Sequence, residues 1–339
     1  MDFAQKENEI NQLLKSVMEL NIIYLGIIHG FFTIIDRSSN QITYNTLASA
    51  AALDPEYVKR WLDASVAFGL IDVHKDGLIS LNERGTAYID NGNNGFIAQI
   101  LQAVYSTLIS DQAVNLFQSG DRPGYSIVNN FPNLRPWYGY IFESLYLSVM
   151  KKEILTHPSV QRHISNTAGD IIDYGCGNGW LLRTFGDYYP QKSFLGLDGD
   201  PQIIDKAIQL TADNGLSKNV SFRVQDFSQP FSQPVGGVII NRSLHHFGDS
   251  RLRILKEMIS NLSSDGFLMI WDFNWTNNMN ELRNEGNEDL SFLQIIEHIQ
   301  GNSFLELETI IKELSLLQCS TEYFFVNRNR DYVILASKQ

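Results

Sequence analysis

The sequence predicts an α/β fold, with a buried and mostly parallel sheet in the C-terminal half behind a mainly helical N-terminal region. One observation is that seven short apolar runs follow residue 169, and helix-length segments separate the first five, as in βαβ units. The other is a pattern of two helices and a short hairpin before residue 92. The predicted strands are DIIDYG (170–175), SFLGLD (193–198), VSFRVQ (220–225), GVIIN (237–241), FLMIWD (267–272), TEYFFV (321–326) and DYVILAS (331–337).

The last two runs are joined by only four residues, NRNR (327–330). A parallel crossover needs about a dozen residues or more, so we expect these two strands to pair antiparallel. The sheet is therefore predicted to be mixed, with a reversed strand at the end of the chain.

The first 92 residues are predicted to fold as a winged helix. A short helix is expected over 43–51, and a second begins at Asp54 and Pro55, a capping side chain followed by proline at the first helical position. This helix ends at Gly69, and the turn Asp76-Gly77 joins two short strands behind it. The apolar face of the second helix consists of Val58, Trp61, Leu62 and Val66. The two strands cover residues 70–73 and 78–81.

Three domains are expected: the winged helix over 1–92, a helical connector over 93–168 and the sheet domain over 169–339. Residues 17–35 are mostly apolar and near the length of a membrane span, but they include Glu19 and interrupting glycines. Charged groups inside a membrane are costly, so this segment is predicted to be a buried helix at a subunit or domain interface.

Composition and charge exclude some classes of function. The 339 residues include 38 acidic and 26 basic side chains, which gives a formal net charge of -12. An acidic surface repels phosphate backbones, so nucleic acid is not expected as a partner.

The two cysteines, Cys176 and Cys319, exclude a disulfide framework. The first fifteen residues show no secretory signal, so we expect a cytoplasmic protein without a membrane partner.

The strongest functional signal is the segment IIDYGCGNGW (171–180). A buried strand ends in Asp173, and Gly175, Gly177 and Gly179 follow in a tight turn before a helix. Glycine permits positive φ and lets a ligand lie against bare backbone. The carboxyl end of the first strand, beside a helix N-terminus, is a ligand site in such folds.

Polar residues also follow the next three strands. Asp198 ends LGLD (195–198), where an acid can hydrogen-bond both ribose hydroxyls. Asp226 could accept from an adenine amino group, and Phe227 could pack on the adenine ring. Asn241, at the end of the fourth strand, is a further candidate for cofactor binding.

A dinucleotide-binding fold is the alternative interpretation of the glycines. Its fingerprint, G-x-G-x-x-G, would place the third glycine at Trp180 when counted from Gly175. A tryptophan there would block close packing over a pyrophosphate. The G-x-G-x-G spacing suits a nucleoside that lacks a diphosphate.

With these motifs, residues 169–275 resemble the class I S-adenosylmethionine (SAM)-dependent methyltransferases. The whole chain resembles the bacterial and plant small-molecule O-methyltransferases, which place a winged-helix dimerisation domain before the catalytic domain. The resemblance implies a Rossmann-like sheet of seven strands with the last one reversed, SAM as cofactor, a small-molecule acceptor and a homodimer. It also implies that the glycine turn holds the amino-acid part of SAM, Asp198 the ribose and Asp226 the adenine, while Asp173 reaches the amino group through water or backbone.

The segment NRSLHHFGD (241–249) follows the fourth strand at the same cleft. In the resembled family a histidine at the position of His245 takes the proton from the acceptor hydroxyl, and imidazole suits that task. Asp272 matches a family acid that flanks this histidine, whereas the stretch 300–308 does not clearly supply a second one. His246, where plant enzymes carry an acid, is expected to shape the pocket. A histidine that only shapes the pocket remains the alternative for His245.

Methyl transfer needs a nucleophile in line with the methyl group, so positioning carries much of the rate. A dry aromatic pocket favours the reaction because charge cancels as a neutral thioether forms. No metal is expected, since His245, His246 and Asp272 could form only part of a metal site and the remaining ligands are not apparent. The candidate pocket walls, each of which could instead be plain packing, are Trp137, Tyr138, Tyr140, Phe142, Tyr146 and Met150.

Three functions remain open. The preferred one is O-methylation of a small molecule with His245 as general base, and carbon or nitrogen methylation by the same fold is its main alternative. The second is a SAM-binding enzyme with other chemistry, such as cyclisation or decarboxylation. The third is a DNA-binding regulator, which the presumed recognition helix over 56–68 disfavours because it holds only Lys59 and Arg60 as cations.

Overall fold

The computed structural model describes residues 3–39, 42–92, 94–225 and 234–339. The chain divides into two compact units. The first consists of residues 1–112 and 128–145, and the second of residues 113–127 and 146–339. The division into three domains at residues 92 and 168 stays a prediction.

The first unit is mainly helical and contains the predicted hairpin. Strand β1 (Ile71–Val73) pairs antiparallel with β2 (Ile79–Leu81), as predicted. Two of the helices, α6 and α7, continue across the boundary between the units. The helices are α1 (Phe3–Ile28), α2 (Phe31–Arg37), α3 (Tyr44–Ala51), α4 (Pro55–Ala67), α5 (Glu83–Thr86), α6 (Gly95–Ser119) and α7 (Tyr138–Val149).

Helix α4 begins and packs largely as its sequence predicts. The Asp54 carboxylate accepts from the backbone N–H groups of Glu56 and Tyr57 at 3.0 and 3.1 Å, which caps the helix. Its buried face includes Trp61, whose indole N–H donates to the carbonyl of Ile22 in α1 at 2.9 Å. Val66 is 38% exposed, so its predicted place on the buried face is wrong.

Residues 17–35 do not form one continuous helix, whereas their burial at a subunit interface stays a prediction. Helix α1 ends at Ile28, Gly30 adopts a left-handed φ of 69°, and α2 follows at 61° to α1. Val17 is 48% exposed, whereas Ile27 is buried. By length and composition, no helix in the described ranges could cross a membrane by itself, although the bent pair α1 and α2 together meets that test.

The second unit is built on a seven-stranded sheet with the order β5-β4-β3-β6-β7-β9-β8. Neighbours among β3 to β7 pair parallel, and β9 pairs antiparallel with both β7 and β8, which confirms the predicted mixed sheet. The strands are β3 (Ile171–Tyr174), β4 (Phe194–Asp198), β5 (Val220–Val224), β6 (Val235–Asn241), β7 (Leu262–Phe273), β8 (Cys319–Val326) and β9 (Asp331–Lys338). The helices are α8 (Pro158–Asn166), α9 (Trp180–Tyr188), α10 (Pro201–Asp213), α11 (Arg251–Ser260), α12 (Glu288–Ile299) and α13 (Leu307–Leu316).

Both faces of this sheet are covered by apolar side chains. Adjacent residues of β3 alternate between two core clusters, with Ile172 in one and Ile171 in the other. The chain order reverses between β3 and β6, because β4 and β5 lie on one side of β3 while β6 and β7 lie on the other. A crevice at the carboxyl ends of β3 and β6 is therefore the expected ligand site.

Candidate active site

The glycine turn lies at the carboxyl end of β3, where it was predicted. Gly175, Gly177 and Gly179 all have positive φ, at 87°, 53° and 76°. A Cβ added to Gly177 would meet nothing within 4 Å, so this backbone has room for a ligand. A Cβ on Gly179 would lie 2.4 Å from the Phe222 ring, so this glycine lets the start of α9 pack on β5.

The two acids predicted beside the turn both face it. The Asp198 carboxylate accepts from the N–H groups of Gly177 and Asp200, each at 3.0 Å. Asp173 is buried, and its Oδ1 has no hydrogen-bond partner among the described residues. Burial and, to a lesser extent, the charge of Asp198 raise the pKa of Asp173 to about 8. An ammonium group from a ligand would supply the missing partner and restore the negative charge.

The thiol of Cys176 stays protonated in this setting. Burial raises its pKa, and the charges of Asp173 and Asp198 raise it further. The turn therefore combines open backbone with two carboxyl groups and carries no thiolate. This combination suits binding of a cationic ligand rather than nucleophilic chemistry.

Two predicted cofactor residues, Asp226 and Phe227, lie outside the described residues. Asn241 lies at the end of β6, where the sequence placed it. Its side-chain oxygen accepts from Nη1 of Arg242 at 3.0 Å. The amide nitrogen of Asn241 is thereby oriented away from the guanidinium.

The predicted pair of His245 and Asp272 is brought together. His245 lies in the 3₁₀ segment Leu244–Ser250 after β6, and Asp272 lies near the end of β7. Nδ1 of His245 is 2.9 Å from Oδ2 and 3.1 Å from Oδ1 of Asp272, and both side chains are buried. The carboxylate orients the ring and leaves Nε2 as the nitrogen that can exchange a proton.

A second acid, Glu297 of α12, also flanks this histidine. Its Oε2 lies 3.6 Å from Nε2 of His245 and 3.5 Å from Nε2 of His246. The resemblance places this acid within 300–308, whereas Glu297 lies three residues before that stretch. Glu297 lies in α12, and the packing of this helix brings its carboxylate to the histidine.

These two carboxylates determine the charge of His245. Burial alone would lower the pKa of the ring, but Asp272 and Glu297 outweigh burial and raise the pKa to about 10. The pKa of Glu297 is lowered even though burial opposes this shift, because both histidines hold its charged form. At neutral pH the free site therefore holds an imidazolium between carboxylates.

The ion pair of Arg242 and Asp331 was missed by the sequence analysis. Nη2 of Arg242 donates to Oδ2 of Asp331 at 2.6 Å, and both side chains are almost fully buried. The guanidinium carbon lies 3.5 Å from the ring centre of Tyr146 and 4.1 Å from that of Trp271. Arg242 has a left-handed φ of 51°, a strained conformation directly after Asn241.

Aromatic rings enclose the histidine from one side. The Phe304 ring lies 5.0 Å from that of His245, and the Phe273 ring lies 4.8 Å from that of Phe304. Trp275 completes this cluster at 6.0 Å from Phe304. None of these three was among the predicted pocket walls.

The predicted walls are distributed over both units. Tyr146 lies against Arg242 in the second unit, and Met150 is fully buried in the core beneath the sheet. In the first unit, the Tyr140 hydroxyl accepts from the Asn94 N–H at 2.8 Å. The role of all six as a substrate pocket stays a prediction. The remaining first-unit members are Trp137, Tyr138 and Phe142.

Sequence comparison finds a family match within the second unit. Residues 165–318 match a family model described as a methyltransferase domain. The chain is 30% identical over 129 residues to the malonyl-(acyl-carrier protein) O-methyltransferase of Acetivibrio thermocellus, a match that covers 38% of this chain and 44% of that protein. The corresponding Bacillus cereus protein is 25% identical over 130 residues, with 47% of it covered. The chain thus spans less than half the length of these relatives.

Solved structures extend the similarity to the whole chain. The mitomycin 7-O-methyltransferase MmcR has a TM-score of 0.75 at 16% identity, over 99% of this chain and 98% of that one. Human N-acetylserotonin methyltransferase, crystallised with SAM, has a TM-score of 0.71 at 15% identity, over 100% of this chain and 98% of that one. At such identities the similarity establishes the fold. The predicted fold class is confirmed, and residues 165–318 match a methyltransferase domain.

Proposed function

We propose that this chain, whose residues 165–318 match a methyltransferase domain, uses SAM to transfer a methyl group to a hydroxyl group of a small molecule. One observation carries the proposal. A buried histidine is held between two carboxylates at the end of β6, next to the strand that bears the glycine turn. The two regions are joined directly, because the Ser243 hydroxyl donates to the carbonyl of Tyr174 at 3.2 Å.

The cofactor roles follow from the contacts around the turn. When bound, SAM supplies an activated methyl group on a sulfonium. The orphaned carboxyl of Asp173 suits the ammonium of its methionine part, and open backbone at Gly177 suits the chain that carries it. Asp198, held by two backbone amides, remains the candidate for the ribose hydroxyls. Asp226 and Phe227 are retained as candidates for the adenine.

The base role of His245 follows from its two flanking acids. Nδ1 is held by Asp272, so Nε2 takes the proton of the acceptor hydroxyl as that oxygen attacks the methyl carbon. The negative charges of Asp272 and Glu297 stabilise the imidazolium that forms. A pKa raised to about 10 makes His245 a strong base, but only after it has lost the proton it holds in the free protein.

Glu297 also bears on the choice between O-methylation and its alternatives. Carbon and amine nucleophiles can react without a dedicated histidine–acid pair, and the missing second acid had kept that alternative open. The position of Glu297, 3.6 Å from Nε2 of His245, supports O-methylation. Chemistry other than methyl transfer remains a second alternative.

The acceptor and the assembly are further parts of the proposal. The Phe273, Trp275 and Phe304 rings beside His245 favour a small acceptor with an apolar, planar part. An exposed apolar face on α1 supports a homodimer, and the net charge of -12 argues against nucleic acid. A cytoplasmic location remains the expectation.

The proposal is tested by incubating the purified full chain with isotopically labelled SAM and three acceptor panels. The first contains phenols and hydroxylated heteroaromatics, and the other two contain matched amines and activated carbon acids. Mass spectrometry is expected to find O-methyl products. Products only on nitrogen or carbon would favour the first alternative, and SAM consumption without any methylated product would favour the second.

A further inference from the structure

Three potential metal ligands converge at the carboxyl edge of the sheet. The ligand atoms of His245, His246 and Glu297 all lie within 4.8 Å of one another. Oε2 of Glu297 is 3.6 Å from Nε2 of His245 and 3.5 Å from Nε2 of His246. Tetrahedral zinc with bonds of about 2.1 Å separates its ligand atoms by roughly 3.4 Å. Two edges of this triangle are therefore already close to the length that zinc needs.

The surroundings of His245 match those of a metal-binding histidine. Asp272 holds Nδ1 at 2.9 Å, so the deprotonated ring presents its lone pair at Nε2, toward Glu297. A carboxylate on the far nitrogen of a ligating histidine is the usual outer partner in zinc sites. Asp272 and Glu297 together carry two negative charges, which a divalent cation bound to neutral imidazoles balances.

The three side chains also differ in solvent exposure, and this difference gives an ion a way into the site. The His245 side chain is 1% exposed, and that of Glu297 is 16% exposed, whereas that of His246 is 42% exposed. An ion can therefore arrive from solvent at His246. Rotation of this exposed ring can shorten the remaining edge of the triangle, between the two histidines.

We propose that a divalent ion of the zinc class binds Nε2 of His245, Nε2 of His246 and the Glu297 carboxylate, and that it switches off the base. Imidazole ligands favour zinc, copper and nickel over magnesium and calcium. Binding of the ion releases the Nε2 proton of His245 to solvent. The ion then occupies the lone pair that otherwise takes the acceptor's proton, so bound ion and active base exclude each other. The ion-binding site rests on geometry alone, while its inhibitory effect rests on the proposed function. The sequence predicted no metal because Glu297 had not been identified as a ligand.

The binding site is tested by adding Co²⁺ to the metal-free full chain and recording visible absorption. We expect the bands of four-coordinate Co²⁺ to saturate at one ion per chain, and Zn²⁺ to abolish them. Glu297→Gln and His246→Asn should each weaken Co²⁺ binding by about 10-fold or more. His298→Asn, an exposed neighbour on the same helix, is the matched control and should keep the wild-type affinity.

Each result decides one part of the inference. Absent bands, or bands that survive Glu297→Gln unchanged, would overturn the site. With an accepted hydroxyl substrate, Zn²⁺ should abolish methyl transfer and a chelator should restore it, whereas full activity of the zinc-loaded protein would overturn the switch.

Adenosylhomocysteine binding is measured on every variant to show that it is folded. Protein that binds adenosylhomocysteine but no Co²⁺ contradicts only this inference. Protein that binds Co²⁺, but transfers no methyl group when it is metal-free, contradicts only the proposed function.

Discussion

At the scale of single residues, the charge state of His245 depends on acids from two separate elements. Asp272 is supplied by β7 and Glu297 by α12. Asp272 could be predicted because it ends an apolar strand and matches an acid that flanks the histidine in the resembled family. Glu297 could not be placed from the sequence, because helical packing, and not spacing along the chain, brings its carboxylate to Nε2.

Replacing Glu297 with glutamine should shift the pH dependence of the reaction. In the wild type, kcat/KM rises with pH as His245 loses its proton, so the midpoint should lie above that of an ordinary histidine, toward about 10. Glutamine keeps the shape of the side chain but removes one negative charge, so the His245 pKa and the midpoint should fall. The measurement is a pH profile of kcat/KM for both proteins.

His298→Asn provides the matched control for that profile. Its exposed side chain follows Glu297 in α12, so the substitution should leave the midpoint in place. An identical midpoint in Glu297→Gln and wild type would contradict the assignment of Glu297 as a partner of His245.

Removal of the Asp198 carboxylate should weaken cofactor binding. Asp198→Ala leaves the Gly177 and Asp200 amides, and any ligand hydroxyls, without their acceptor. The expected loss in adenosylhomocysteine affinity is about 1–3 kcal/mol, measured by calorimetry. Asp213→Ala, which removes an exposed acid at the end of α10, should bind as the wild type does. Equal affinity of both variants would exclude Asp198 from the cofactor site.

At the scale of elements, the sheet was predictable because its inner strands are buried on both faces. Such strands are continuous apolar runs, and the short NRNR connection fixed the direction of the last pair. The break between α1 and α2 was not predictable from hydropathy, which registers the apolar side chains on both sides but not the left-handed φ of Gly30. The ion pair of Arg242 and Asp331 was missed because its members belong to β9 and to the turn after β6.

This ion pair should be important for the stability of the sheet. Asp331→Ala leaves the buried Arg242 guanidinium without its carboxylate, although the Tyr146 and Trp271 rings remain. We expect the free energy of unfolding to fall by about 3–5 kcal/mol, as measured by urea denaturation. Arg253→Ala, which removes an exposed pair with Glu257 in α11, should cost no more than about 0.5 kcal/mol. Similar decreases in the free energy of unfolding for the two variants would show that the buried ion pair stabilises the protein no more than the Arg253–Glu257 pair does.

At the scale of the whole molecule, an exposed apolar stripe on α1 predicts a homodimer. Its members recur at helical spacing and are 48–64% exposed. They are Ile10, Leu13, Leu14, Val17 and Met18. Of these, only Val17 and Met18 belong to the segment that was expected to be buried, and a second copy of the chain is the simplest partner that would cover the whole stripe.

Light scattering coupled to size exclusion tests this assembly. The wild type is expected to elute as a dimer, and Leu13→Glu combined with Val17→Glu should produce a monomer because both charges would be buried at the interface. Gln12→Glu, on the opposite face of α1, adds a charge without touching the stripe and should remain dimeric. A dimer that persists in the double variant would place the interface elsewhere.

The proposed function requires adenosylhomocysteine to bind at the glycine turn, and calorimetry on the wild-type chain measures this binding directly. We predict saturable binding at one molecule per chain, together with a higher melting temperature, because the ligand binds only the folded state. Folded protein that gives neither binding heat nor thermal stabilisation with adenosylhomocysteine or SAM would contradict the central claim.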